Sequence, residues 1–158
     1  MQSMGSMEHA VRALREGKPV AVRNGREIVI VYAVETLNDA ALKAARKTFK
    51  DLRLILTHAR ARTLKIRLYT PDVVALPIGA KDKADQLRAI ADPTCDMAAP
   101  MTGPFEAERA KLPGGFAAGI KPAKLSGLLP AIVAAHISKP EKTVAAIAAK
   151  EIADYENE

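Results

Sequence analysis

The spacing of apolar positions divides the chain into alternating helical and extended stretches. Between Glu8 and Glu16, residues Ala10, Val11 and Leu14 fall on one helical face, and Gly17, which tolerates a left-handed cap, closes the element. Pro19 to Arg23 is short and β-branched, and Asn24-Gly25 after it is a strong hairpin signal. Glu27 to Val34 is nearly continuous in apolar residues, the mark of a strand covered on both faces. Thr36 stands as an N-cap with Asp39 three residues on. The helix it predicts turns Ala40, Ala41, Ala44, Ala45 and Thr48 inward and Lys43, Arg46, Lys47 and Lys50 outward. Leu52 to Leu56 predicts a strand, Thr57 a cap for a short helix through Arg62, and Val73 to Ile78 a strand broken by Pro77. Lys83 to Ala91 is helical and ends at Asp92-Pro93. Thr94 to Gly119 is rich in glycine and proline and predicts a long irregular loop. A short helix over Lys121 to Gly127 takes Pro122 in its first turn. Ala131 to Ile137 predicts the last strand. Pro140 to Tyr155 predicts a closing helix with Val144, Ile147, Ala148 and Ile152 on one face. Strands alternating with helices predict an α/β fold, a three-layer sandwich around a mixed sheet.

The 158 residues suit one domain, expected over residues 8–158 behind a flexible leader, Met1 to Met7. Aromatic residues make up only 4% with no Trp, so aliphatic side chains must build the core and rings for stacking bases are scarce. The net charge of +6 favours acidic or phosphate-bearing partners. A lone cysteine, Cys95, excludes an internal disulfide and reads as a passive loop residue between Asp92 and Asp96. No apolar run approaches the ~20 residues of a membrane span, and no signal peptide is evident, so a cytoplasmic location is expected.

Chemical motifs are sparse. There is no phosphate loop, dinucleotide fingerprint, nucleophile elbow or zinc-binding cysteine pair. His9, His58 and His136 do not suggest a metal cluster, and His136, inside an apolar strand, reads as a core or strand-end residue. Basic residues concentrate from Lys43 to Arg67: Lys43, Arg46, Lys47, Lys50, Arg53, Arg60, Arg62, Lys65 and Arg67, opposed by Asp51. Such a cluster is either a phosphate or nucleic-acid footprint or a solvated helix face, and the absence of interleaved aromatic residues favours the solvated face. Nucleic acid is therefore not the expected partner.

Three stretches resemble 3,4-dihydroxy-2-butanone 4-phosphate synthase: Ala13 to Val22 (ALREGKPVAV), Leu52 to Leu64 (LRLILTHARARTL) and Ala123 to Ala131 (AKLSGLLPA). Their order and spacing agree with that family from Glu8 to Ile137. The resemblance implies an acidic, magnesium-holding loop after the first strand and a His-Thr-Glu run before the late helix. Here Asn24-Gly25-Arg26-Glu27 bridges the strands directly, and Gly115-Phe116-Ala117 stands in place of the run. The family's Thr-Thr-Gly substrate segment has no counterpart. Magnesium needs several oxygen ligands, and enolisation of a sugar phosphate needs an acid/base pair beside it.

More narrowly, the chain resembles the shortened synthase-like domain that opens some bacterial GTP cyclohydrolase II proteins, including Ala91-Asp92-Pro93-Thr94 and a closing helix over Val144 to Tyr155. The resemblance implies a domain without catalytic residues, metal or cofactor, structural or assembling in riboflavin biosynthesis. It implies a homodimer through Ala117 to Ile120 and Ala131 to Ala135, and a linked or separate GTP cyclohydrolase domain. What would survive is an anion site at Arg26, Thr57 and Arg60, where charge and helix N-terminal N–H groups could hold phosphate. Two alternatives stand beside it. One is a nucleotide- or RNA-binding module of related fold, using the Lys43 to Arg67 cluster. The other is a rearranged active synthase, with Glu27, Asp92 or Asp96 as ligands.

Overall fold

The computed structural model describes residues 3–49, 51–79, 82–92, 107–109, 112, 114–137 and 145–155. Its elements run α1 (Ser3–Arg15), β1 (Val20–Asn24), β2 (Glu27–Ala33), α2 (Asp39–Thr48), β3 (Arg53–Thr57), α3 (His58–Thr63), β4 (Val73–Pro77), α4 (Ala84–Ala91), α5 (Gly114–Leu125), β5 (Ala131–Ile137), β6 (Ala145–Ala148) and α6 (Ala149–Tyr155). The strands form one sheet in the order β4-β3-β5-β2-β1-β6. Neighbours are antiparallel except β1 and β6, which run parallel, so the sheet is mixed as expected.

Because side chains alternate across a strand, the near-continuous apolar strands feed two cores. On one face Ile30, Tyr32, Leu54, Val74 and Val133 pack with Leu42 and Ala45 of α2, Ala61 of α3 and Leu87 of α4. On the other Val20, Val22, Val29, Val31, Ile55 and Ile132 pack with Leu14 of α1, Phe116 and Ile120 of α5 and Ile152 of α6. Helices on both faces give the three layers.

Several boundaries differ from the sequence pattern for physical reasons. α1 starts at Ser3 rather than Glu8, and Met7, assigned to the leader, is 1% exposed in the second core. Asn38, not Thr36, caps α2, its side chain accepting from the Ala41 N–H at 2.8 Å. Thr36 instead donates to the Leu14 carbonyl. The inward face of α2 is accordingly Leu42 and Ala45, with Ala41 half-buried, while Ala40, Ala44 and Thr48 are exposed.

The largest departures lie late in the chain. Helix α5 begins at Gly114, inside the stretch that reads as loop, and Pro122 sits in its interior rather than its first turn. The glycines serve close packing here. A Cβ on Gly115 would lie 2.7 Å from Val29 Cγ2, and one on Gly119 2.9 Å from Val31 Cγ2, so the helix rests directly on the sheet. Within the expected closing helix, Pro140 to Val144 lie outside the described residues, Ala145–Ala148 is strand β6, paired with β1 from Val20↔Ala145 to Arg23↔Ala148, and α6 is helical. Edge pairing satisfies the outer backbone groups of β1 and overrides the helical spacing of Ile147 and Ile152, which both still reach the core.

Candidate functional site

The sheet has two ends, and the expected anion site is divided between them. At the hairpin end Asn24 pairs with Glu27 around a two-residue turn, Gly25-Arg26, with Gly25 at φ +65. Ile28 lies opposite Ile137 there. β3 starts toward that end, with Arg53 opposite Ala134. The first turn of α5 arrives there too, since a Cβ on Gly114 would meet Asn24 Nδ2. Arg26 is exposed at this end.

Thr57 and Arg60 lie at the other end, beyond Leu56↔Ala131. β2 alone separates the ends by about 20 Å, at ~3.3 Å per residue. Arg26, Thr57 and Arg60 therefore do not form one site.

Thr57 and Arg60 are also used by the fold itself. The Thr57 hydroxyl accepts from the Arg60 N–H at 3.1 Å as the N-cap of α3. Arg60 is only 8% exposed, and its Nε donates to the Ile90 carbonyl in the last turn of α4 at 2.7 Å. The side chain ties α3 to α4.

At the hairpin end Arg53 is the organising residue. Its Nε contacts Glu108 Oε2 at 2.7 Å, and its guanidinium lies 5.7 Å from the centroid of the buried Phe116 ring. Glu108 is anchored by its own N–H, which donates to the Ala75 carbonyl of β4 at 2.9 Å. Arg46, Phe49, Asp51, Leu52, Arg53 and Glu108 line a shallow cleft of ≈ 550 Å³ beside them. Arg46 is spent within the fold, donating to the Gly79 carbonyl at 2.9 Å and to the Asp82 carbonyl.

The described residues do not make a magnesium site. Among the described residues no three of His, Cys, Asp and Glu come together. Glu108 is held by Arg53, and Glu27 is exposed on the hairpin. His136 is exposed near the end of β5, which fits the strand-end reading and not the core one. His58 Nε2 is 2.8 Å from the Thr70 carbonyl, and His9 is exposed on α1. Asp92 caps the C-terminus of α4, whereas Cys95 and Asp96 lie outside the described residues.

No family model and no curated protein sequence matches this chain. Solved structures do. A two-domain 3,4-dihydroxy-2-butanone 4-phosphate synthase from A. baumannii, RibBX, superposes with a TM-score of 0.71 at 16% identity over 94% of this chain. This chain spans 57% of that protein. The synthase of Candida albicans superposes with a TM-score of 0.69 at 18% identity, over 96% of this chain and 97% of that one. A synthase in complex with two magnesium ions gives a TM-score of 0.59 at 16% identity, over 96% of this chain and 88% of that one.

The fold is that of 3,4-dihydroxy-2-butanone 4-phosphate synthase. On this synthase-like fold, position 115, where the resemblance implies the histidine of the His-Thr-Glu run, has no space for a side chain. Position 116 holds a ring 0% exposed in the core. The apolar segments expected to hold a dimer are largely used up as well. Gly119 and Ile120 are buried, and Ala131 to Ala135 form the central strand inside the chain's own two cores. No described helix is long and apolar enough to cross a membrane.

The Lys43 to Arg67 cluster resolves into two populations. Arg46, Arg53 and Arg60 are turned to internal partners. Lys43, Lys47, Arg62, Lys65 and Arg67 are exposed, and Lys50 lies outside the described residues. The sequence reading missed an aromatic neighbour to that exposed set. Tyr69, 36% exposed, carries the Arg109 guanidinium 4.6 Å from its ring centroid. Its signal was present in the alternation Ile66-Arg67-Leu68-Tyr69, which puts Arg67 and Tyr69 on one side.

Proposed function

We propose that this chain is a non-catalytic member of the synthase-like fold, with a structural or assembly role associated with riboflavin biosynthesis. The observation that carries this reading is the seating of Gly115. Its α-carbon faces Val29 so closely that even a Cβ would clash, so neither acid/base nor metal-binding groups can stand there without lifting α5 off the sheet. The two-residue hairpin supports the same reading, because Gly25 and Arg26 leave no acidic loop above β1 and β2. Losing one acid/base group costs on the order of 10²–10⁴-fold in rate, and losing the metal removes the electrophile as well.

The test is an assay of the purified chain with ribulose 5-phosphate and magnesium, following formate. The expected result is no turnover above background. Steady formate release that disappears in Glu27→Ala would establish a rearranged enzyme and end this reading. The resemblance to the domain preceding some GTP cyclohydrolases supports a cytoplasmic role beside such a domain, linked or separate. Light scattering tests self-association: a homodimer here must use surfaces other than the strand β5, and a monomer at high concentration would remove the assembly role.

A further inference from the structure

Helix α3 ends in a way that turns a short segment outward. The Lys65 N–H donates to the Arg62 carbonyl at 3.0 Å, and the Ile66 N–H donates to the Ala61 carbonyl at 2.8 Å. This pair of bonds is a Schellman closure, with Lys65 in the left-handed region at φ 61. Glycine is usual there, and a non-glycine residue carries a conformational cost. Beyond it burial alternates. Ile66, Leu68 and Thr70 turn inward, while Arg67 and Tyr69 are exposed, with Lys65 and Arg62 exposed before them. Arg109, also exposed, approaches the same ring from residues 107–109, which run beside β4 through the Glu108–Ala75 bond. Between Ala59 and Val73 the sequence holds one carboxylate, Asp72, so the positive charge there is weakly opposed.

We propose that this surface, Arg62, Lys65, Arg67, Tyr69 and Arg109, binds single-stranded nucleic acid. The four cations would meet phosphates. Tyr69, already stacked by a guanidinium, would extend that stack to a base. A solvated basic face needs no exposed ring, and an exposed tyrosine needs no guanidinium stacked on it. Their coincidence is what points to a ligand carrying both phosphates and flat, unpaired bases. Duplexes hide those bases, so the surface is matched to a single strand. This inference is independent of whether the hairpin end retains catalysis.

The experiment is an anisotropy titration of the full chain against a fluorescein-labelled oligouridylate of about a dozen nucleotides, long enough for one such site. With four phosphates neutralised, affinity should fall about 50-fold between 50 and 200 mM KCl, from a slope of about −0.7 per contact. Tyr69→Ala should weaken binding roughly tenfold, and Tyr69→Phe should restore it, since only the ring is needed. Lys65→Glu with Arg67→Glu should abolish binding, while Lys43→Glu with Lys47→Glu on α2 should change it little. All five positions are exposed, and circular dichroism of each variant checks the fold. Absence of salt-dependent binding would overturn the proposal. So would equal loss in the α2 variant, an unchanged Tyr69→Ala, or equal affinity for a duplex or for polyglutamate.

Discussion

Thr57 and Arg60 at one end of the sheet, and Asn24 to Glu27 at the other, are comparably polar in sequence but reach different situations in the fold. The first pair is absorbed. A hydroxyl caps α3, and a buried guanidinium satisfies the carbonyl that α4 leaves open at its last turn. The second set projects from a tight turn and leaves Arg26 exposed. Beside that turn, α5 is bedded so closely on β2 that at position 115 glycine alone fits. A polar residue is a site candidate only after the fold's own donors and acceptors have been served, and that condition removes Thr57 and Arg60.

The comparison can be tested by substitution, from the largest expected effect to the smallest. Gly115→Val places branched carbons where a Cβ alone would already lie 2.7 Å from Val29. The mutant should lose about 3 kcal/mol of stability, the upper part of the usual range for overpacking. Urea unfolding would reveal this as a lower midpoint, and an unchanged midpoint would mean that α5 can lift at little cost. Arg60→Met keeps the aliphatic stem but orphans the Ile90 carbonyl, and should cost about 2 kcal/mol. If the same variant instead left stability intact and removed phosphate binding, Arg60 would be a ligand residue.

Thr57→Ala deletes a cap and should cost about 1 kcal/mol by the same measurement. Thr57→Ser should recover most of it, because the hydroxyl is kept. Arg26→Ala, at the exposed turn, should move stability by no more than about 0.5 kcal/mol. A larger loss would show that the fold depends on side chains at the hairpin end as much as on those at the other.

Much of the architecture was legible along the chain. The strands β1 to β5 were expected within a residue or two, because long apolar runs bounded by turn residues leave few alternatives. The Asn24-Gly25 signal located the hairpin, although Gly25-Arg26 forms the turn itself. Three features were not legible. Gly114, Gly115 and Gly119 read as loop residues, since a glycine that permits close helix packing looks the same in sequence as one that permits a turn. β6 read as helix, since Ile147 and Ile152 fit a helical face as well as they fit a strand followed by a helix. Tyr69 went unnoticed because its partner, Arg109, is 40 residues away in sequence.

By itself, the sequence determined the fold class, the order of most elements and the aliphatic core. These follow from side-chain periodicity and residue identity, which are local properties. The tertiary structure alone decided which cations are exposed and which are consumed by internal partners. It also set the opposite-end placement of Arg26 and Arg60, and the absence of space at position 115. Each depends on which distant backbone or side chain arrives at a given point: Ile90 against Arg60, Glu108 against Arg53, Val29 against Gly115. Pairing of that kind is set by the packing of helices on the sheet, and no window along the chain contains it.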